Sequence, residues 1–518
     1  MPPRQFSQIS AEAYVSTKFK YFHRCSVLLA DAVLALGVYA FVVCRRSPAN
    51  SAIPDTAEWL APKAMTAAVL VLLQPGLFLV DHVHFQYNGF LLGCLLLLLA
   101  ALQSRMDKFA AALFVLLVCL KHTFLVLAPI LAVYLFRHYC MQLEKPTTIV
   151  VLETETGREA ARSKLHHRPA GVVATAARLF FLVLQTMCIL VVVFAPVFMN
   201  TRRLPSTIFK QLFERLFPFG RGLTHAYWAP NLWALYNTAD RVLYRCIVKL
   251  ADASGGSIDL TAWVSHAAAA AAQTGGLVRD LGSASHAALP SIRPSWTVFL
   301  VIASQIPALS RVWRSPHPRV LVPAIVFCQF GAFMLGWHVH EKAALYITIP
   351  AALMALENVA AAAWWFVLSV VTTQAQLPLM HTPLEAALTP AAAWGMHAVC
   401  FGVLSLWHEQ RQYSTHLAAV GLPLTSLLPP GQVYAAGGTL AVQACLWFFP
   451  LCFGDRMPFL PLQITSVYCA VLMVPLWWRS QDLIWQAEVL EANHASVPQA
   501  IRTSPRQGAA GHIKAKVE

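Results

Sequence analysis

Residues 320–342 read VLVPAIVFCQFGAFMLGWHVHEK. Positions 320–337 carry no formal charge and are mostly aliphatic or aromatic. An apolar run of this length is in the range that crosses a bilayer as a single helix. It ends on Gly336-Trp337-His338-Val339-His340-Glu341-Lys342, and another apolar run follows at once. Two imidazoles, a carboxylate and an ammonium therefore meet at a membrane boundary. Charge is costly to desolvate there, so such a cluster marks a ligand or ion site.

The rest of the chain repeats the pattern. Of 518 residues, 58% are hydrophobic and only 12% charged, about half the charged share of a soluble domain. Apolar runs recur at 25–44, 64–80, 88–104, 109–120, 123–139, 175–199, 296–311, 320–337, 343–357, 360–375, 387–407, 436–453 and 459–478. The expected fold is all-α, a polytopic transmembrane bundle of twelve to thirteen spans. The pair after 108 is also readable as one broken helix. The formal net charge is +14, but the basic residues are dispersed between apolar runs. No basic stripe interleaved with aromatics is present, which argues against nucleic acid as a partner. The cysteines Cys94, Cys119, Cys188, Cys328, Cys400 and Cys469 lie inside apolar runs, with no CxxC pair and no zinc spacing, so no metal is expected.

Lysine and arginine fix the orientation. Basic connectors follow the first, third, fifth, seventh and last spans. They carry Arg45 and Arg46; Arg105 and Lys108; Arg158, Arg162, Lys164 and Arg168; Arg311, Arg314 and Arg319; and Arg479 with the tail. Being alternate, they fall on one face, read as cytosolic. The basic N-terminal residues Arg4, Lys18, Lys20 and Arg24 go against this alternation. The expected organisation is N-terminal helices over 1–140, a cytosolic loop at 141–174, one helix at 175–199, a luminal loop at 200–295, C-terminal helices over 296–478 and a cytosolic tail at 479–518. The luminal loop includes an Ala/Gly/Ser-rich insertion at 254–291.

Three further polar groups share the face opposite the basic connectors. They are Asp81-His82-Val83-His84-Phe85-Gln86-Tyr87-Asn88, Lys121-His122, and Arg215-Leu216-Phe217-Pro218-Phe219-Gly220-Arg221-Gly222. An anionic headgroup needs cations at short range, and Arg215, Arg221, Lys121, His340 and Lys342 supply them. Gly220 and Gly222 allow close backbone approach around Arg221. The stretch His225-Ala226-Tyr227-Trp228-Ala229-Pro230-Asn231 offers aromatic faces and amides, a mixture suited to a sugar. Plainer readings stand beside these: interfacial snorkelling for the arginines, helix-end hydrogen bonding for His82 and His84, and an aromatic belt for Tyr87 and Trp228. Asp31, with Arg24 seven residues before it, reads as an ion pair or helix contact.

HFQYNG, RLFPFGRGLTHAYWAPNLWALYN and GWHVHEKAALYITIP resemble the dolichyl-phosphate-glucose-dependent glucosyltransferases of asparagine-linked glycosylation, enzymes of GT-C type. HAYWAPN, and Trp337-His338 before VHEK, are more similar to the enzyme that adds the second glucose. The resemblance implies a multi-pass protein of the endoplasmic-reticulum membrane. It implies transfer of glucose from dolichyl-phosphate-glucose to a dolichyl-diphosphate-linked oligosaccharide, with inversion and without metal or cofactor. It further implies donor-phosphate or sugar contacts for His338, His340, Glu341, Lys342, Lys121, Arg215 and Arg221. Acceptor or structural roles fall to His84, Gln86, Tyr87, Asn88, His225, Tyr227, Trp228 and Asn231. The family's base is an aspartate in the first luminal loop, a region this sequence is expected to lack. No residue here is assigned that role, Asp81 being a weak substitute, and this stretch alone is expected to transfer no glucose. Lys514 and Lys516 near the end resemble a cytosolic retrieval signal. Addition of the first glucose, an inactive relative, and a polytopic transporter of lipid-linked sugars are the competing readings. A transporter would show paired half-repeats, and none is visible.

Overall fold

The computed structural model describes residues 17–45, 57–141, 147–151, 162–166, 171–199, 205–217, 219, 222–225, 229–253, 286, 288–380, 383–414, 430–453 and 460–496. The chain is an all-helical membrane bundle with one small exception. Seven described helices are both long and apolar enough to cross a membrane, or eight if a bent pair counts as one span. The long ones include α1 (Thr17–Cys44), Val172–Met199, Pro318–Leu335 and Leu460–Val489. Twelve to thirteen spans were expected from hydropathy. The remaining apolar stretches form shorter helices, such as Asn88–Gln103 and Ala435–Phe449.

Proline and polar residues account for much of the fragmentation. Helix α2 (Ala57–Leu72) ends at Gln74-Pro75. A π-helical turn, Phe78–Val83, then leads into the HFQYN motif, at a 45° bend from α2. Helix α3 (Asn88–Gln103) and helix α4 (Asp107–Leu120) follow. The pair after 108 is interrupted at Lys121, whose extended backbone separates α4 from a 3-10 turn at His122–Leu127 and helix α5 (Ala128–Leu135).

The exception is an antiparallel pair, β1 (Thr147–Val151) with β2 (Arg162–His166), in register Thr147 to His166. The β-branched run Thr147-Thr148-Ile149-Val150-Val151 suits a pleated strand. It lies in the segment expected as a charged connector. Helix α6 (Val172–Met199) has no buried residue. Among the described residues, the 200–295 segment holds two amphipathic helices, α7 (Pro205–Leu216) and α8 (Leu232–Ala253). Most of the 254–291 insertion lies outside the described residues. Its end returns to α8: the Ala288 and Leu289 amides donate to Asp240 Oδ1 at 2.8 Å, and His286 Nε2 lies 3.0 Å from Asn237 Oδ1.

The C-terminal half continues with α9 (Pro294–Ser304), α10 (Ile306–Arg314), α11 (Pro318–Leu335), α12 (Leu345–Met354) and α13 (Val359–Gln376). Helices α14 (Pro383–Ser414), α15 (Pro430–Phe453) and α16 (Leu460–Ser496) complete it. The core centres on α11, α12 and α13, where Phe327, Phe330 and Trp365 are buried. Helices α1 and α3 cross very closely. A Cβ on Gly93 would lie 2.7 Å from the Leu34 nitrogen, so only hydrogen fits there. Small residues at such contacts let helix backbones approach in a membrane.

The two ends of the bundle differ. At one end Arg45 pairs with Glu357 at 2.9 Å, Arg311 with Glu488 at 2.6 Å, and His138 with Asp107 at 3.1 Å. The opposite end holds the polar motifs, and the start of α1 lies there through the His23–Phe85 ring contact at 5.9 Å.

Candidate functional site

The site is built where helices break. Helix α11 stops at Gly336, leaving carbonyls that need donors. Asn231 Nδ2 donates to Phe333 O at 3.2 Å, and Trp233 Nε1 donates to Gly336 O at 2.9 Å. Asn231 therefore acts as a clamp between α8 and α11. Its Oδ1 also accepts from the Trp233 amide at 3.1 Å.

Beyond Gly336 the chain makes a tight turn. His338 has φ 51°, a left-handed conformation that a histidine adopts only when held. Two bonds hold it: its amide donates to Leu223 O at 2.8 Å, and its Nδ1 donates to Gly222 O at 2.7 Å. The turn brings His340 onto His225, with ring centroids 3.5 Å apart, while His338 sits 5.5 Å from His225 edge-on. GWHVHEK and the loop before HAYWAPN thus interlock.

Glu341 is fully buried, and its Oε1 accepts from His340 Nδ1 at 3.1 Å. Burial alone would raise its pKa; the hydrogen bond and charge of His340 outweigh that and hold it below the ordinary value. The bond engages His340 Nδ1 and fixes the ring against His225. Burial, with the adjacent His340, pushes His225 down to about 4, so it is neutral at physiological pH. Single donor atoms of His225, His340 and Glu341 lie within 4.8 Å of one another, a set with the reach to hold a divalent cation. The sequence had given no such spacing, because His225 lies over a hundred positions away.

The HFQYN motif joins from another side. Asp81 is buried, with Oδ1 accepting from Asn88 Nδ2 at 2.7 Å and Oδ2 from the Gly89 amide at 2.6 Å. It caps the start of α3 and has both oxygens occupied, a poor geometry for a base. Asn88 Oδ1 accepts from Lys121 Nζ at 3.1 Å and from Tyr346 OH at 3.0 Å. Burial, then the nearby Lys342, brings Lys121 down to about 8. Lys121 therefore lies against Asn88 and close enough to Lys342 to feel its charge. Gln86 Oε1 accepts from Asn88 Nδ2 at 3.3 Å, His84 is half-buried, and Tyr87 is exposed beside α1.

Not every sequence candidate enters this cluster. Arg215 is exposed in the last turn of α7, although Phe217 just after it meets His122 at 5.6 Å. Arg221, Tyr227 and Trp228 lie outside the described residues. Asp31 pairs with His82 Nε2 at 3.3 Å rather than with Arg24. Tyr346 was missed from sequence, since a tyrosine inside an apolar run carries no signal of a partner 258 positions away.

Residues 3–480 match the model of the ALG6, ALG8 glycosyltransferase family. The chain belongs to that family. It is similar to the dolichyl pyrophosphate Glc1Man9GlcNAc2 alpha-1,3-glucosyltransferase of Arabidopsis thaliana, 31% identical over 93% of this chain and 83% of the relative. The protein of the same name in Mus musculus is 34% identical over 90% of this chain and 78% of its own length. That of Schizosaccharomyces pombe is 32% identical over 91% and 80%.

Proposed function

We propose that this protein is an endoplasmic-reticulum hexosyltransferase that moves glucose from dolichyl-phosphate-glucose to Glc1Man9GlcNAc2-diphosphodolichol, forming the second glucose's α-1,3 linkage. The observation that carries this reading is the convergence of Lys121, His340 and Lys342 at one end of the bundle, in a chain whose relatives bear that name. The polar-motif end faces the lumen, and the end with Arg45, Arg311 and Arg319 faces the cytosol.

An acceptor hydroxyl attacks the anomeric carbon of the β-linked glucose. Its oxygen forms the new bond, and the bond to phosphate oxygen breaks on the opposite face, giving the α product. The acceptor proton passes to a general base, for which no residue of this chain is assigned. The departing dolichyl phosphate gains negative charge. In this reading Lys342, Lys121 and His340 are the cationic and donor groups that stabilise that charge more than the ground state. Glu341 acts through His340 by fixing its ring. Asn88 holds Lys121 in place, and Tyr346 supports Asn88.

The test is the lipid-linked oligosaccharide profile of cells that stop at one glucose. Expression of a gene product containing this chain is expected to convert the one-glucose species to two. Persistence of the one-glucose species with normal protein abundance would overturn the assignment.

A further inference from the structure

Three side chains of metal-ligand type, from two distant segments, meet just past the end of α11. One donor atom each from His225, His340 and Glu341 lies within 4.8 Å of the others. Imidazoles with a carboxylate suit zinc and similar first-row ions, whereas calcium and magnesium take oxygen ligands. A tetrahedral zinc with bonds of about 2.0–2.1 Å holds its ligand atoms about 3.4 Å apart. His340 Nδ1 and Glu341 Oε1, 3.1 Å apart, already stand near that spacing. The His225 ring packs on His340 with centroids 3.5 Å apart, which puts a third ligand group at hand.

A second observation points to a ligand. Glu341 is fully buried, and its Oε2 has no hydrogen-bond partner among the described residues. A buried carboxylate oxygen without a donor is costly, and a bound cation relieves that cost. The His340 side chain is 32% exposed, so the cluster is open to solvent on one side. Its segments are also held in place. The His338 amide and Nδ1 donate to Leu223 O and Gly222 O, and Asn237 Nδ2 donates to Thr224 Oγ1 at 3.1 Å. Ligands on such braced segments need little reorganisation to bind. Lys342 is close enough for its charge to act on His225, and it acts likewise on Lys121. These ammonium groups oppose a dication and Glu341 favours one, so the balance suits reversible binding.

We propose that His225, His340 and Glu341 form a reversible zinc-class cation site whose occupancy inhibits sugar transfer. The inhibition rests on the glucosyl-transfer reading, since the metal engages the same His340 that the donor phosphate uses; the binding does not. The metal takes no part in the transfer itself. Titration of the purified full protein, free of any histidine tag, with cobalt(II) and zinc(II) tests the site. Wild type is expected to bind one cobalt ion with the visible absorption of a low-symmetry, four-coordinate site, and zinc is expected to displace it. His225→Asn and Glu341→Gln are each expected to weaken binding by at least about tenfold. Lys342→Gln is expected to tighten it by about fivefold, the scale of one screened charge. A gain of affinity cannot come from a misfolded protein, so this variant guards the test against fold defects in the other two. No cobalt bound by wild type, or affinity unchanged in all three variants, would overturn the site, whatever the transfer rate of the same protein. Zinc that binds but leaves the rate unchanged, or raises it, would overturn the inhibition.

Discussion

His340 Nδ1 donates to Glu341 Oε1 at 3.1 Å, and the carboxyl that receives it is sealed from solvent. An adjacent pair this close turns a mobile imidazole into a fixed one. The carboxylate is buried, and in the proposed reading it acts through His340. Glu341→Gln is expected to lower turnover roughly tenfold, the size of one charge-assisted bond. Glu341→Ala is expected to cost more. The effect of Glu341→Gln should largely vanish in a His340→Ala background, since residues acting as a unit are not additive. Initial rates for the two single variants and the double variant decide this. Full additivity would assign Glu341 a role separate from His340.

Lys121 gives a pH signature. Its pKa is lowered to about 8 by burial and by Lys342. Donor affinity is expected to fall as pH rises through about 8, when Lys121 loses its charge. Stability moves the other way. The unfolded chain keeps a proton up to the ordinary lysine value near 10.5, so it binds more protons than the native state between about 8 and 10.5. Stability therefore rises across that window. Lys342→Ala removes the repulsion and is expected to shift the alkaline limb of donor binding upward. Donor-binding titrations and thermal melts over the same pH range report both trends.

His225 predicts acid sensitivity. Its pKa is about 4 in the fold against an ordinary 6.5, chiefly through burial. Between those values the unfolded state binds more protons, so stability is lost as pH falls from 6.5 toward 4. Melting of wild type at pH 7 and pH 5 should differ more than melting of His225→Asn. An identical pH response in both would show that another group controls it.

Asp81 and Gly93 are expected to act on stability. Asp81→Ala removes the cap of α3 and leaves Asn88 Nδ2 and the Gly89 amide unpaired by the carboxylate. A loss of about 2 kcal/mol is expected, at the upper end for a helix cap. Gly93→Leu cannot keep the α1–α3 crossing, because even a Cβ meets Leu34 N at 2.7 Å. Detergent-resistant yield and melting temperature measure both. A Gly93→Leu protein as stable as wild type would contradict the crossing.

The sequence carried the membrane character and the site's raw material because apolar length and clustered charge are local signals. VHEK and HFQYN could be read as polar boundaries from their flanking runs alone. The breaks were less legible. The π-helical turn at Phe78–Val83 and the extended Lys121 depend on what packs around them, so hydropathy divided the chain into more spans than the long helices found. The pairing β1–β2 was hidden inside a charged connector. Partners such as Asn88 with Tyr346, or His225 with His340, exist only after helices separated by over a hundred residues have packed. Asp81 entered only as a weak substitute for the family's base, and its two hydrogen bonds to the start of α3 are not legible in composition.

The central claim is that the cations beside His340 bind the donor phosphate as it leaves. The most direct measurement is the single-turnover rate of glucose transfer from dolichyl-phosphate-glucose by Lys342→Ala, in a gene product containing this chain and matched for abundance. Loss of one such contact is expected to lower the rate roughly 10²–10³-fold, with the one-glucose acceptor accumulating in cells. A rate equal to wild type would contradict the claim and return Lys342 to the role of an interfacial charge.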